Sequence, residues 1–457
     1  MILRRTTSVC PVCLRTIDAD IVEKGAAVYL EKTCPEHGLT STVIWRGIDP
    51  DYGDWNADPS PYLPPAVQTQ DKKGCPYDCG LCSEHKAQTC SVLCEVTERC
   101  NLGCPVCFAM SEIKERRDVS LDKLREMFRA VIDAGGPYPL QLSGGEPTVR
   151  DDLPEIVKMA KSMGFTHIQI NTNGLRIAQD KEYLKALRDA GTDLIYLQLD
   201  GVSDDVYRVI RGRALADIKR KALENCRELE IGVQLVPVII RGVNDNEIGD
   251  IVRLAKEFMP TVRGIHFQPV SYFGRYEIAP DNENRATLPE VLHAMEEQTG
   301  GEIKASDFLP RTKHDAHCGF SGFYILKDDR LIPTMHFDPG RTYRRTDDKT
   351  PAEHVREFIT NHSRYFAELE PGECECMMSL RLSQSLNKAK KYSLSISGMP
   401  FMDAWTMDIE RVKNCCIHVI RQDGRLVPFC ANYVTNMDGR TIDDLFGKAD
   451  MREESES

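Results

Sequence analysis

Between residues 90 and 270, short apolar runs alternate with longer amphipathic stretches. The runs read as strands over 92–96, 140–142, 167–171, 194–199, 233–239 and 265–268, since each is shorter than a normal helix. The amphipathic stretches read as helices starting near Ser120, Asp152, Asp180, Asp204 and Asp245. Ser120 suits a helix N-cap, because its hydroxyl can accept an orphan backbone N–H. Leu121, Leu124, Met127, Phe128 and Val131 then follow at helical spacing. Regular strand–helix alternation predicts an α/β fold with a parallel sheet and right-handed crossovers. Six such units give a partial (β/α)6 barrel, open on one side, with functional groups at the C-terminal strand ends.

Outside this region the pattern changes. Residues 26–32 and 41–45 have β character, which predicts a small N-terminal ribbon. Residues 49–71 are rich in Asp, Pro and Gly, with Pro59, Pro61, Pro64 and Pro65, so they read as an extended linker. After residue 275 the pattern is irregular, except that Asp423-Gly424 between two apolar runs predicts a hairpin. The expected units are 1–48, a metal-binding ribbon; 49–89, a linker with a cysteine loop; 90–275, the barrel; and 276–457, a C-terminal extension. The charged tail 448–457 is expected to fray.

The 457 residues are 41% hydrophobic and 28% charged, ordinary for a globular protein. A formal charge of −12 argues against a nucleic-acid surface as the main function. No apolar run approaches the ~20 residues needed to span a bilayer. The N-terminus lacks a signal-peptide core, so a cytoplasmic location is expected. The 18 cysteines alter the picture, because they are clustered. Close-spaced clusters in a cytosolic chain read as metal sites rather than disulfides.

Cys10-Pro-Val-Cys13 and Cys34-Pro-Glu-His37 form two short elbows. They suit one tetrahedral ion, zinc or a rubredoxin-like iron. Four protein ligands leave no open position, so this site reads as structural. Cys75, Cys79 and Cys82 follow x3 and x2 spacing and suit an auxiliary iron–sulfur cluster, with zinc as the other reading. Cys90 is the better fourth ligand, because Cys94 falls inside the first barrel strand. Cys100, Cys104 and Cys107 repeat the spacing. Iron–sulfur clusters normally take four thiolates, so three leave one iron open to chelate a small molecule. A zinc knuckle or a ferredoxin loop is the plain alternative. Cys226, alone on a helix, reads as core. Cys374 and Cys376 sit among acids and read as peripheral to any cluster.

The stretch Cys100-Asn-Leu-Gly-Cys104-Pro-Val-Cys107 closely resembles the signature of the radical S-adenosylmethionine (SAM) enzymes. Val106 stands where that family usually has an aromatic residue. Ser143-Gly144-Gly145-Glu146-Pro147 matches the family's GGEP motif. The resemblance implies a [4Fe–4S] cluster on Cys100, Cys104 and Cys107, and a 5′-deoxyadenosyl radical formed by reductive SAM cleavage. It implies that Gly144, Gly145 and Glu146 meet the SAM amino group. Asn173, Gln198, Asp200 and Arg211 resemble residues that contact the ribose and carboxylate, although Asn-Gly sequences are also ordinary turn chemistry.

Together with the knuckle, the Cys75 loop, Met402-Asp-Ala-Trp, Cys415-Cys-Ile-His418 and Pro428-Phe-Cys430, the whole chain resembles the class D methyltransferase branch. That branch holds the pterin dimethyltransferases and the related archaeal tetraether lipid synthase. It implies one or two auxiliary [4Fe–4S] clusters. The second would be on Cys318, Cys415, Cys416 and Cys430, since the hairpin returns Cys430 toward Cys415. It also implies a reductant such as ferredoxin or flavodoxin and a small-molecule or lipid substrate. The expected activity is C-methylation of a pterin-like molecule, with carbon from a reduced folate or methanopterin. The other expectations are radical C–C coupling of lipid chains and a non-catalytic electron-transfer protein. A zinc-ribbon nucleic-acid module is disfavoured by the acidic charge.

Replacing Cys100, Cys104 and Cys107 together by Ala is expected to abolish 5′-deoxyadenosine formation in an anaerobic assay with SAM and dithionite, while iron remains bound elsewhere. Continued cleavage would move the active cluster to Cys75, Cys79 and Cys82.

Overall fold

The computed structural model describes residues 1–47, 49–57, 62–109, 118–277, 280–310, 315–339 and 389–447, with isolated positions between 341 and 365. Cys374, Cys376 and the tail from 448 lie outside these residues.

The N-terminal ribbon is a four-stranded antiparallel sheet: β1 (Ile2–Val9), β2 (Thr16–Lys24), β3 (Ala27–Cys34) and β4 (Gly38–Arg46). One face carries Ile21, Val28, Leu30 and Trp45, which join the main hydrophobic core. Trp45 packs edge-on against Tyr52, with ring centroids 5.6 Å apart.

The central sheet has the expected parallel strands in sequential order: β5 (Ser91–Thr97), β6 (Leu140–Gly144), β7 (Ile168–Thr172), β8 (Leu194–Gln198) and β9 (Gly232–Val236). The run expected over 233–239 breaks at Pro237, which has no N–H for the ladder. β10 (Val238–Ile239) therefore pairs separately with β11 (Val262–Pro269), which also pairs with β9. The helices are α1 (Leu121–Asp133), α2 (Leu153–Ser162), α3 (Leu175–Gln179), α4 (Lys181–Asp189), α5 (Asp204–Arg211), α6 (Ala216–Glu228) and α7 (Ile248–Glu257). Ser120 caps α1, its Oγ accepting from Lys123 N–H at 3.2 Å. Asp180 caps α4 through Tyr183 N–H at 2.9 Å. The helix expected from Asp204 is two helices, because Gly212 at φ +78° ends α5 in the left-handed conformation.

The C-terminal third is more regular than the sequence suggests. β12 (Leu309–Pro310), β13 (Phe320–Lys327), β14 (Arg330–Pro333) and β15 (Ser393–Gly398) extend the sheet beyond β11, with β15 parallel to β11. β16 (Ile417–Ile420) runs parallel to β5 at the other edge, and β17 (Leu426–Pro428) closes the expected hairpin on it. Both edges of the open barrel are thereby paired, which removes their bare N–H and C=O rows. Among the described residues no helix is long and apolar enough to cross a membrane.

Residues 402–408 tie the parts together. Asp403 is fully buried and accepts from Arg285 Nη1 at 2.8 Å and from Tyr272 N–H at 2.7 Å. Asp408 accepts from Thr6 Oγ1 at 2.7 Å and from Arg4 of the ribbon. Lys32 of β3 donates to Ala404 O at 2.6 Å and Ser8 Oγ at 3.0 Å, and burial lowers its pKa to about 7.

Removing one partner of a buried ion pair strands the other charge, at about 3–5 kcal/mol. Arg285→Met is therefore expected to lower the urea unfolding free energy of the metal-loaded protein by about that amount. Adding Asp403→Asn should recover part of the loss. Equal stability of wild type and Arg285→Met would show that the pair does not hold the segment.

Candidate active site

The C-terminal ends of the barrel strands surround a cavity of about 1430 Å³. Cys100, Cys104 and Cys107 line one side, and Gly144, Gly145, Glu146, Asn173, Gln198 and Arg211 line the wall beside them. The cysteine loop is held by its backbone. Cys107 and Arg275 exchange N–H···O bonds of 2.8 and 2.9 Å, and Arg275 Nε donates to Cys104 O at 2.9 Å. Asn173 Nδ2 donates to Asn101 Oδ1 at 2.7 Å, and Arg211 Nη1 to Val106 O at 3.2 Å. Leu102 N–H faces Cys100 Sγ at 3.4 Å. Burial pushes the Cys100 thiol up to about 12 and raises that of Cys104. Such thiols deprotonate only with a cation to bind, so a metal cluster suits them.

Gly144 and Gly145, on the cavity wall, also pack closely on the backbone. Gly145 N–H donates to Thr97 O at 2.9 Å and Glu146 N–H to Arg99 O at 2.8 Å. A Cβ on Gly144 would lie 2.1 Å from Thr97 O, and one on Gly145 would lie 2.3 Å from Arg99 O. The glycines let β6 press onto the strand end that leads into the cysteine loop. Glu146 is then fixed beside the cysteines. Its Oε1 accepts from Thr148 N–H at 3.0 Å, Thr148 Oγ1 at 2.5 Å and Thr172 Oγ1 at 2.7 Å. Its Oε2 accepts from Asn173 N–H at 2.6 Å. Burial raises the carboxyl pKa, against the pull of these donors.

Asp200 does not line the cavity. It is fully buried and holds Arg211 through contacts of 2.7 and 2.8 Å, also accepting from Val238 N–H at 3.1 Å. With its amide oriented to satisfy both groups, Gln198 places its oxygen 3.0 Å from the Arg211 guanidinium. Asn244 also serves the backbone, donating to Asp200 O and Val238 O at 2.7 Å. One group missed from the sequence is Lys219 of α6, which donates to Asn173 O at 2.6 Å. Burial lowers its pKa to about 8. Amphipathic spacing gives no hint of a lysine turned inward.

Three further cysteine groups lie outside the lining of this cavity. Ligand atoms of Cys10, Cys13, Cys34 and His37 all lie within 4.8 Å of one another, with His37 Nδ1 3.3 Å from Cys34 Sγ and 3.6 Å from Cys10 Sγ. Zn–S bonds of about 2.3 Å in a tetrahedron require spacings of this order, so the set fits one ion. The loop of Cys75, Cys79 and Cys82 is braced by Asp78, which accepts from Lys72 N–H at 2.8 Å and Gly74 N–H at 2.9 Å. Arg425 donates to Cys79 O at 3.0 Å.

The structure packs the expected fourth ligand of that loop, Cys90, with Ala87 and Cys416. Pairing of Ile417 with Ser91 draws residue 90 there, and Cys90 N–H donates to Cys416 O at 2.7 Å.

Cys318, Cys415, Cys416 and Cys430 line one cavity of about 430 Å³, as the hairpin predicts for the last three. Arg411 lines it too and was not foreseen. Its Nη2 donates to Cys318 Sγ at 3.3 Å and to His317 O at 3.1 Å, and its Nε lies 3.7 Å from Asp315 Oδ1. A buried guanidinium touching one of these thiols suits an anionic cluster. Phe401, Ile417 and Phe429 line both this cavity and the barrel cavity, forming a thin shared wall.

The radical SAM superfamily model matches residues 94–255, and the HMPTM N-terminal zinc ribbon domain matches residues 2–46. The 7,8-dihydro-6-hydroxymethylpterin dimethyltransferase of Methanocaldococcus jannaschii is 37% identical over 93% of this chain and 92% of its own length. The GTP 3′,8-cyclase of Desulforamulus reducens is 30% identical over 45% of this chain, which spans 62% of that protein. Among solved structures, Streptococcus suis SuiB bound to precursor peptide SuiA aligns with a TM-score of 0.40 at 16% identity, covering 48% of this chain and 47% of that one. With 93% of its length aligned to the first of these relatives, the chain belongs to the radical SAM superfamily, in the class D methyltransferase branch of the pterin dimethyltransferases.

Proposed function

We propose that this radical SAM enzyme C-methylates a pterin-like small molecule, with the carbon supplied by a reduced folate or methanopterin. The observation that carries this reading is the reach of the likeness. The pterin dimethyltransferase aligns over 93% of the chain, whereas the cyclase aligns over 45%.

A [4Fe–4S] cluster with an open iron supplies one-electron cleavage of SAM to a 5′-deoxyadenosyl radical. In this reading Cys100, Cys104 and Cys107 hold that cluster, supported by their position on the cavity wall. Glu146 receives the SAM ammonium at Oε2, which has one protein donor where Oε1 has three. Asn173, Gln198 and Arg211 orient the rest of SAM, and Asp200 acts through Arg211. Cys75, Cys79 and Cys82 hold one auxiliary cluster. Cys318, Cys415, Cys416 and Cys430 would hold a second, which would supply one-electron chemistry beside the Phe401, Ile417 and Phe429 wall. Arg411 offsets the charge of the second. The Cys10, Cys13, Cys34 and His37 site takes zinc and holds the ribbon. A ferredoxin or flavodoxin supplies electrons.

The test is mass spectrometry after anaerobic turnover of 7,8-dihydro-6-hydroxymethylpterin with SAM, dithionite and carbon-13 methylene-labelled reduced folate. The expected product gains one labelled CH2 per event. A gain of unlabelled CH2 would overturn the donor, and unchanged pterin alongside 5′-deoxyadenosine would overturn the substrate.

A further inference from the structure

We propose that the floor of the barrel is the substrate's seat, where Gln141, Asn171, Tyr196, His266 and Gln268 read the hydrogen-bonding edge of a flat bicyclic N-heterocycle. This inference rests on the pterin reading above and assigns it residues.

The first observation is the sense of the strand alternation. Residues facing the helices, such as Leu142, Ile170, Leu197 and Phe267, are fully buried and apolar. On β6, β7, β8 and β11 the alternate residues that line the cavity include Gln141, Asn171, Gln198, His266 and Gln268, beside apolar Leu93, Val236 and Val238. A closed barrel fills its interior with branched apolar side chains. Polar groups there cost free energy unless they are hydrogen-bonded. The amides on this wall therefore need a polar occupant.

The second observation is how these amides are set. Gln169 Nε2 donates to Asn171 Oδ1 at 3.1 Å, Asn171 Nδ2 to Gln141 Oε1 at 3.2 Å, and Gln141 Nε2 to Ser91 Oγ at 2.9 Å. This head-to-tail ladder fixes the orientation of each amide. Each NH2 keeps a second hydrogen and each oxygen a second lone pair for a ligand. Gln268 lines the same cavity, and its amide has no protein partner among the described residues.

Asn171 lies opposite Tyr196 in the sheet register. Both sit two residues deeper than Asn173 and Gln198, about 7 Å along the strands. The Tyr196 and His266 rings lie 6.2 Å apart, and Ser397 Oγ at 2.8 Å from Nδ1 steadies His266. They supply flat faces beside the amides.

A pterin's lactam edge sets an N–H donor next to a carbonyl acceptor, which one primary amide can meet with both of its groups. A lipid chain would strand the same amides, so the seat also argues against lipid coupling.

The test measures binding of 7,8-dihydro-6-hydroxymethylpterin to the metal-loaded enzyme saturated with SAM, by anaerobic equilibrium dialysis without reductant. Gln268→Leu and Asn171→Leu should each weaken pterin binding about tenfold or more, the scale of a lost buried hydrogen bond. SAM affinity should stay within about twofold, the size of effect left when no hydrogen bond is lost. Unchanged pterin affinity in both variants would overturn the seat while leaving the pterin reading intact. Loss of SAM affinity in both would assign these side chains to SAM and also overturn the seat. No pterin binding to wild type would overturn the seat and the pterin reading together.

Discussion

Two backbone hydrogen bonds, from Gly145 N–H to Thr97 O and from Glu146 N–H to Arg99 O, set the geometry on which the site depends. They join the end of β6 to the residues that lead into the cysteine loop, and no side chain larger than hydrogen fits between. Glu146 thereby stands next to Cys100. From there its carboxylate takes the N–H of Asn173 and orders the end of β7. Asn173 reaches back to Asn101. Arg211, held by buried Asp200, grips the loop at Val106 O from the other side. The loop is thus clamped by residues that follow β6 and β7 and by Arg211 of α5, the kind of support such a site requires.

A six-stranded barrel leaves two edges and one mouth open, and the C-terminal third supplies what closes them. β15 and β16 pair with the two edges. The connection after β15 carries Asp403 and Asp408, which hold Arg285 and the ribbon. The same stretch brings Cys415, Cys416 and Cys430 together with Cys318, in a cavity that shares Phe401, Ile417 and Phe429 with the barrel cavity. Edge pairing and cysteine placement are one structural event.

The barrel was legible because its strands are apolar runs bounded by caps, and Ser120 and Asp180 behave as their chemistry predicts. Its finer divisions were not. α3 starts after Gly174 at φ +82°, and Pro237 splits one run into two strands; both depend on single residues inside a continuous pattern. β15 reads Ser-Leu-Ser-Ile-Ser-Gly, too short and too polar on one face to stand out, and its partners lie far away in sequence. The cysteine triplets and the knuckle were visible from spacing alone. The neighbours of Cys90 were not, because they follow from the register of β16 on β5. The inward lysine, the arginine among the cysteines and the amide floor of the barrel are tertiary facts. Alternating Gln and Asn residues within apolar runs were the one available sign of the last.

The account's central claim is that SAM is cleaved at the barrel mouth directly above a seated pterin. The most direct measurement is turnover with a pterin deuterated at its carbon-bound ring hydrogens, followed by mass spectrometry of the 5′-deoxyadenosine formed. The account predicts deuterium in that 5′-deoxyadenosine. Formation of 5′-deoxyadenosine without deuterium, while the pterin is bound, would contradict it.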